Sequence, residues 1–191
     1  MIIVKRYLSL LICLIMCLSF TACKEESKSE TVQHPINVVN WVKKGGIPEI
    51  ELALGDSVDQ VRTSLASMGV DEHGDPLLQE FASPANEEKT IMTINTISCV
   101  YDTENPENGI TYLAYFEGGY GFKSGTTPNK IDEVMKSYGY KATERAAKSG
   151  ELFFLLGGSS GAYSVMEYAI NETTLLFVFS NNGLDGVVIH K

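Results

Sequence analysis

Residues 54–61 read Leu-Gly-Asp-Ser-Val-Asp-Gln-Val, and residues 127–134 read Thr-Pro-Asn-Lys-Ile-Asp-Glu-Val. Each stretch opens a helix. In the first, Ser57 followed three residues later by Gln60 is a capping-box pattern, whose two side chains satisfy free N–H groups of the first turn. Val58, Val61, Leu65 and Met68 then recur at helical spacing, and Gly69 is placed to end the helix. In the second, Thr127 is the expected N-cap. Pro128 suits the first helical position, where its missing N–H costs nothing. Ile131, Val134, Met135 and Tyr138 make the apolar stripe. Val-Asp-Gln-Val and Ile-Asp-Glu-Val match class for class, a weak internal repeat.

Strand-like sequence follows each helix. In the first unit these are residues 90–101 (TIMTINTISCVY) and 110–117 (ITYLAYFE). In the second they are residues 151–156, 163–170, 174–180 and 184–190, short apolar runs separated by GGSSG, NET and NNG. Ile at period three in 90–99 fits neither strand nor helix, but the β-branched content favours strand. Asn182-Gly183 is a hairpin signal. Residues 35–44 predict a short helix ending at Gly45, with Lys43 and Lys44 suiting its negative end. The acidic, turn-rich stretch 70–89 reads as a long surface loop. Residues 118–125 (GGYGFKSG) miss the spacing of phosphate-binding loops and read as a bulged strand. The expectation is an α+β chain of two helix-then-antiparallel-sheet units, about 47–118 and about 119–191, forming one domain over 36–191.

A tandem unit of this kind, opening with a Gly-x-Ser/Thr-type turn and a Val/Ile-x-x-Val helix, resembles the beta-lactamase-inhibitor-protein-like fold. The same unit occurs singly in small outer-membrane-assembly lipoproteins. The resemblance spans about residues 47–191. The second unit departs from it in having Gly125-Thr126-Thr127 rather than a glycine directly before its cap. It implies a sheet face or loops that bind another protein without catalysis.

The N-terminus carries an address. Lys5 and Arg6 precede an apolar run, residues 7–20 (YLSLLICLIMCLSF), followed by Thr21-Ala22-Cys23. A basic region, a short apolar core and small residues at its end form a secretory signal, too short to span a bilayer comfortably. The closing FTAC resembles the lipobox of bacterial lipoproteins, with Phe20 where Leu is usual. That resemblance implies cleavage after Ala22 and acylation of Cys23. Each buried acyl CH₂ contributes about 0.8 kcal/mol, so two or three chains on Cys23 hold a protein durably. Residues 23–35 are then the lipidated cysteine and a polar tether. Lys24-Glu25-Glu26 also looks like the acidic surface-export signals of some bacterial lipoproteins. The place expected is membrane-anchored, facing the periplasm or the cell exterior.

Composition agrees with one globular domain: 191 residues, 44% hydrophobic and 20% charged, with a net charge of −9. Losing residues 1–22 removes Lys5 and Arg6 and no acid, leaving 13 basic against 24 acidic residues, a net −11. No basic stripe exists for nucleic acid. Cys13 and Cys17 depart with the signal and Cys23 is acylated. Cys99 then remains alone in a β-branched run, where it reads as a small buried hydrophobe.

The chemistry-bearing patterns are few. Gly157-Gly158-Ser159-Ser160-Gly161 satisfies G-x-S-x-G, and Asp185 and His190 follow in the order a hydrolase triad needs. An α/β hydrolase, however, requires several βαβ units, and this elbow lies 30 residues from the end. Ser159 therefore reads as part of a hairpin loop, with a serine esterase as the distant alternative. Asp71, His73 and Asp75 alternate like half a calcium loop, but loop position 12 is Ala82 where a bidentate Glu is required. Asp102, Glu104 and Glu107 crowd a second acidic loop. No cofactor and no zinc spacing are expected.

Aromatic residues on the strands remain. Alternation along 110–117 places Tyr112 and Phe116 on one face and Leu113 and Tyr115 on the other. An uncovered aromatic face is a protein-binding surface, so Tyr112, Tyr115, Phe116 and Tyr120 are the candidate binding residues. The function expected is a non-enzymatic protein-binding or envelope-assembly module, tied to the bilayer through Cys23 and partnered by another envelope protein. A small-ligand or envelope-glycan binder, using the aromatics as stacking platforms, is the alternative.

Overall fold

The strands that follow the two helices join into a single sheet. The computed structural model describes His34 and residues 36–84, 86–148 and 163–191, all within the unit Val32–Lys191. Among the described residues the α-helices are α1 (Val38–Lys43), α2 (Val58–Ala66) and α3 (Pro128–Ser137). The strands are β1 (Gly46–Ile47), β2 (Leu52–Ala53), β3 (Gln79–Ser83), β4 (Asn86–Ile94), β5 (Ile97–Asp102), β6 (Ile110–Tyr115), β7 (Gly118–Gly119), β8 (Phe122–Lys123), β9 (Thr143–Ala146), β10 (Ser164–Ile170), β11 (Thr173–Ser180) and β12 (Gly183–His190). Eight of them form an antiparallel sheet in the order β3-β4-β5-β6-β12-β11-β10-β9; β1–β2 and β7–β8 are small separate pairs.

This corrects the expected α+β class of two helix-then-sheet units. The helices are only six, nine and ten residues long, and the described chain is mostly β. The boundary drawn near residue 118 falls where β6 must find a neighbour. Its neighbour is β12, with Val187 opposite Tyr115 and His190 opposite Tyr112. A four-stranded sheet exposes two edges of unpaired N–H and C=O groups; joining the inner edges removes two of the four.

Local signals explain most of the elements. Asn37 caps α1 by accepting the Asn40 N–H at 3.0 Å, and Gly45 beyond its end takes φ 72°. Helix α2 forms where the apolar spacing predicts, but without the capping box: the Ser57 side chain makes no capping hydrogen bond. Thr127 likewise makes none, and Pro128 stands in the first turn of α3 as expected. The period-three isoleucines have a simple origin, because the run 90–101 is two strands. Ile94 pairs with Ile97 across the tight turn Asn95-Thr96, and Asn95 supplies the positive φ of 49°. The stretch 70–89 is more than a loop, since β3 and the start of β4 fall within it. Residues 118–123 form the β7–β8 hairpin rather than a bulged strand.

All three helices cover one face of the large sheet. Val38, Val42, Val61, Leu65, Ile131 and Val134 pack with Met92, Cys99, Leu113, Met166, Leu175, Phe177 and Ile189 in one buried cluster. On the other face Ala114, Val165, Leu176, Val178 and Val188 make a second, smaller cluster bordered by Tyr112, Phe116 and Tyr163. None of the helices' buried residues belongs to it.

Candidate functional site

The outward-facing apolar surface is concentrated in one stretch. Among the described residues the large hydrophobics left exposed are Met68, Val70, Leu77 and Phe81, at 40%, 58%, 45% and 39%. They fall within 14 consecutive positions, and the chain folds so as to present them. Helix α2 stops at Ala66, and the backbone returns through a turn in which Val70 bridges Pro76. Asp71 holds that turn, its Oδ1 accepting the N–H groups of His73 and Asp75 at 2.8 and 2.9 Å. A Cβ on Gly69 would meet Leu77 Cδ1 at 3.3 Å, so the two limbs of the turn lie against each other.

The chain then enters β3, the outermost strand on this side of the sheet. Its residues Gln79 to Ala82 are exposed, and one row of its backbone groups has no strand partner among the described residues. Beside the turn a groove of about 500 Å³ is lined by Glu49, Ile50, Glu51, Met68, Ile97 and Tyr115. An exposed apolar turn continuous with an unpaired edge strand is the geometry that accepts an extended protein segment. Main-chain bonds supply affinity there, and flanking side chains supply selection.

A polar cluster fixes this edge to the helix layer. The Arg62 guanidinium donates to both Glu80 oxygens, at 3.0 and 2.9 Å, and to Asp59 at 2.6 Å. Tyr101 donates its hydroxyl to Glu80 Oε1. The Arg62 bonds hold the Glu80 carboxyl below the usual carboxylate range. Burial first, then the bond to Glu80, pushes the Tyr101 phenol up. A cavity of about 420 Å³ beside them is lined by Ser57, Asp59, Arg62, Tyr101, Thr103 and Glu107. Since Arg62 bonds Asp59 on α2 and Glu80 on β3, the cluster works as a clasp between the two elements. A depressed carboxyl pKa gives stability that is present above its unfolded pKa and lost as pH falls through the folded one. The stability advantage of wild type over Glu80→Gln is therefore expected to be full at neutral pH and to shrink as pH falls below about 4. Urea midpoints for both proteins at pH 7 and pH 3 check it, and an unchanged difference would show that Glu80 contributes through shape alone.

The sequence-predicted binding residues are not brought together. Tyr112 and Phe116 lie on the face away from the helices, where Tyr112 stacks on His190 with ring centroids 5.5 Å apart. Tyr115 lies on the helix side, at the groove. Tyr120 is fully buried, donating its hydroxyl to the Gly46 carbonyl at 3.0 Å, so it is a core residue. The residues missed are Val70, Leu77 and Phe81. Their signal was large apolar side chains standing in an otherwise acidic, turn-rich stretch.

The other patterns resolve as follows. Cys99 is buried, and burial pushes its thiol up to about 12, leaving no nucleophile at neutral pH. Asp185 accepts from Ser180, and His190 lies five residues further along β12, roughly 16 Å away at strand rise. These two do not form the Asp–His pair a triad requires; Ser159 lies outside the described residues, as does Cys23. Asp102 accepts from Lys89 and from the N–H groups of Glu104 and Asn105, so its oxygens brace a turn. Among the described residues no group of three or more His, Cys, Asp or Glu is disposed to hold a metal, and no helix is long and apolar enough to cross a membrane. No protein-family model, curated protein or solved structure matches the chain.

Proposed function

We propose that the chain is a lipid-anchored extracytoplasmic lipoprotein, acylated on Cys23, whose globular part is a non-enzymatic protein-binding or envelope-assembly module. The observation that carries the binding role is the exposed apolar turn, Met68, Val70 and Leu77, running into the unpaired edge strand β3. The signal and lipobox in residues 5–23 support the anchor. A partner contributes an extended segment that pairs with β3 and lays apolar side chains against Leu77 and Phe81.

The test is affinity capture of C-terminally tagged full-length protein from gently solubilised membranes, beside a Val70→Glu/Leu77→Glu double variant. Both positions are open to solvent, so the variant is expected to keep the wild-type melting temperature. A near-stoichiometric envelope protein present with wild type and lost with the variant is the expected result. A partner retained equally by the variant would remove the turn from the binding surface. A clean bait, together with a thermal shift on adding envelope-glycan fragments, would replace protein binding with ligand binding.

A further inference from the structure

The acidic residues are unevenly distributed along the chain, and the fold gathers the gaps. Between Glu30 and Glu49 lie 18 residues without Asp or Glu, the longest such interval after Cys23; residues 118–131 form another of 14. These two intervals meet in the structure. His34 packs on Phe122 with ring centroids 4.1 Å apart, and a Cβ on Gly121 would meet His34 Cε1 at 3.1 Å and Ile36 Cδ1 at 3.3 Å. The Tyr120 hydroxyl reaches across to Gly46. Gly46 in turn lies under Trp41, where a Cβ would be 3.1 Å from the indole.

One pole of a strongly acidic protein is therefore poor in carboxylates and carries Lys43, Lys44 and Lys123, all exposed. Lys43 and Lys123 enter no ion pair with described residues, and Lys44 sits 5.6 Å above the Trp41 ring. Acids do stand near this pole: Glu49 and Glu51 in the β1–β2 turn, and exposed Glu117, which directly precedes Gly118, the strand partner of Lys123. Glu49 is engaged by the Gly121 N–H at 2.7 Å.

His34 lies at this same pole, against Phe122 and Gly121. Ten residues separate Cys23 from His34, and whatever conformation they take they reach no further than about 40 Å. If Cys23 is acylated, this end of the domain is held near the headgroups. An indole flanked by lysines is the pairing that settles at a bilayer interface: the ring tolerates the boundary and the ammonium groups meet lipid phosphates.

We infer that the Trp41-Lys43-Lys44 corner is a docking surface for an anionic phospholipid bilayer, orienting the anchored domain with its remaining acidic surface outward. This inference rests on the lipid-anchor reading of Cys23. Trp41 is the sole tryptophan of the chain, so its fluorescence reports on this corner alone.

The experiment reconstitutes the full-length lipidated protein into vesicles of phosphatidylcholine and phosphatidylglycerol, with and without brominated acyl chains. Flotation reads anchoring and Trp41 emission reads contact. The expected result is flotation with the vesicles and loss of Trp41 emission in the brominated set. The emission is expected to recover in Lys43→Glu/Lys44→Glu protein that still floats, and to be retained on vesicles of phosphatidylcholine alone. Flotation without quenching would overturn the docking surface and leave the anchor standing. Quenching that survives the double substitution would overturn the part played by the lysines. Protein that fails to float would overturn the anchor, and the docking surface with it.

Discussion

Phe177→Ala is expected to destabilise the fold by about 3–5 kcal/mol, a large share of the stability of a domain this size. Phe177 lies in β11, fully buried, on the helix-covered face. Three rings meet it edge-on: Phe122, Tyr168 and Tyr120, with centroids 5.7, 6.0 and 6.4 Å away. Truncation removes the transfer energy of one ring and leaves a cavity. It also forfeits three edge-to-face contacts that each add about 0.5–1.5 kcal/mol beyond area. At roughly 2–4 °C per kcal/mol the melting temperature falls by about 6–20 °C. Thermal and urea unfolding measure it directly. A loss under about 1 kcal/mol would mean that the neighbours collapse into the space and that the core is not organised around this ring. The substitution also tests a longer link. Phe122 is the residue on which His34 packs, so loosening Phe122 should release His34 and Ile36, read as faster amide exchange at Ile36 and Gly121.

What was legible in the sequence depended on the range of the interaction that fixed each feature. Helices α1, α2 and α3 and strands β6, β10, β11 and β12 are set by apolar periodicity and by terminators such as Gly45 and Pro128, all local. Their places were read within a few residues. The hairpin at Asn182-Gly183 was close: the turn residues are Asn181 and Asn182, and Gly183 already pairs with Ser180. The β4–β5 turn was missed because Asn95-Thr96 is not one of the glycine-bearing pairs that announce a two-residue hairpin, and Asn95 alone carries the positive φ. Strand β3 was missed because edge strands need no alternation. Gln79, Glu80, Phe81 and Ala82 are all exposed, so no inward apolar position marks them. The joining of β6 to β12 was beyond reach, as it pairs positions more than 70 residues apart and leaves no local trace. Exposure is equally hard to read locally: among the aromatics Tyr120 and Phe177 are core, while Val70 and Leu77 are exposed in an acidic, turn-rich stretch.

The seam between β6 and β12 can be broken at one atom. Gly186 lies one position before Val187, which pairs with Tyr115, and a Cβ there would stand 2.3 Å from the Tyr115 carbonyl oxygen and 2.8 Å from Phe116 Cα. Backbone atoms of a paired strand cannot rotate away as a side chain can, so Gly186→Ala must push β6 from β12 or bend one of them. The expected cost is about 3 kcal/mol, the upper end for an overpacked site. Gly55→Ala is the control: its φ is 89° with nothing within 4 Å of the added Cβ, so it pays only the left-handed strain, about 1–2 kcal/mol. The two variants also differ in where the damage appears. Gly186→Ala should lower amide protection in both β6 and β12, since each supplies the other's partners, while the β3–β4 pair at the far edge keeps its own. If Gly186→Ala proves no worse than Gly55→Ala and protection across β6 is unchanged, the seam yields cheaply. The eight strands would then behave as two sheets in loose contact, and the edge strand β3 would be mechanically independent of the lysine-bearing pole. If the cost is large and local to the seam, the sheet is one continuous body linking that pole to β3.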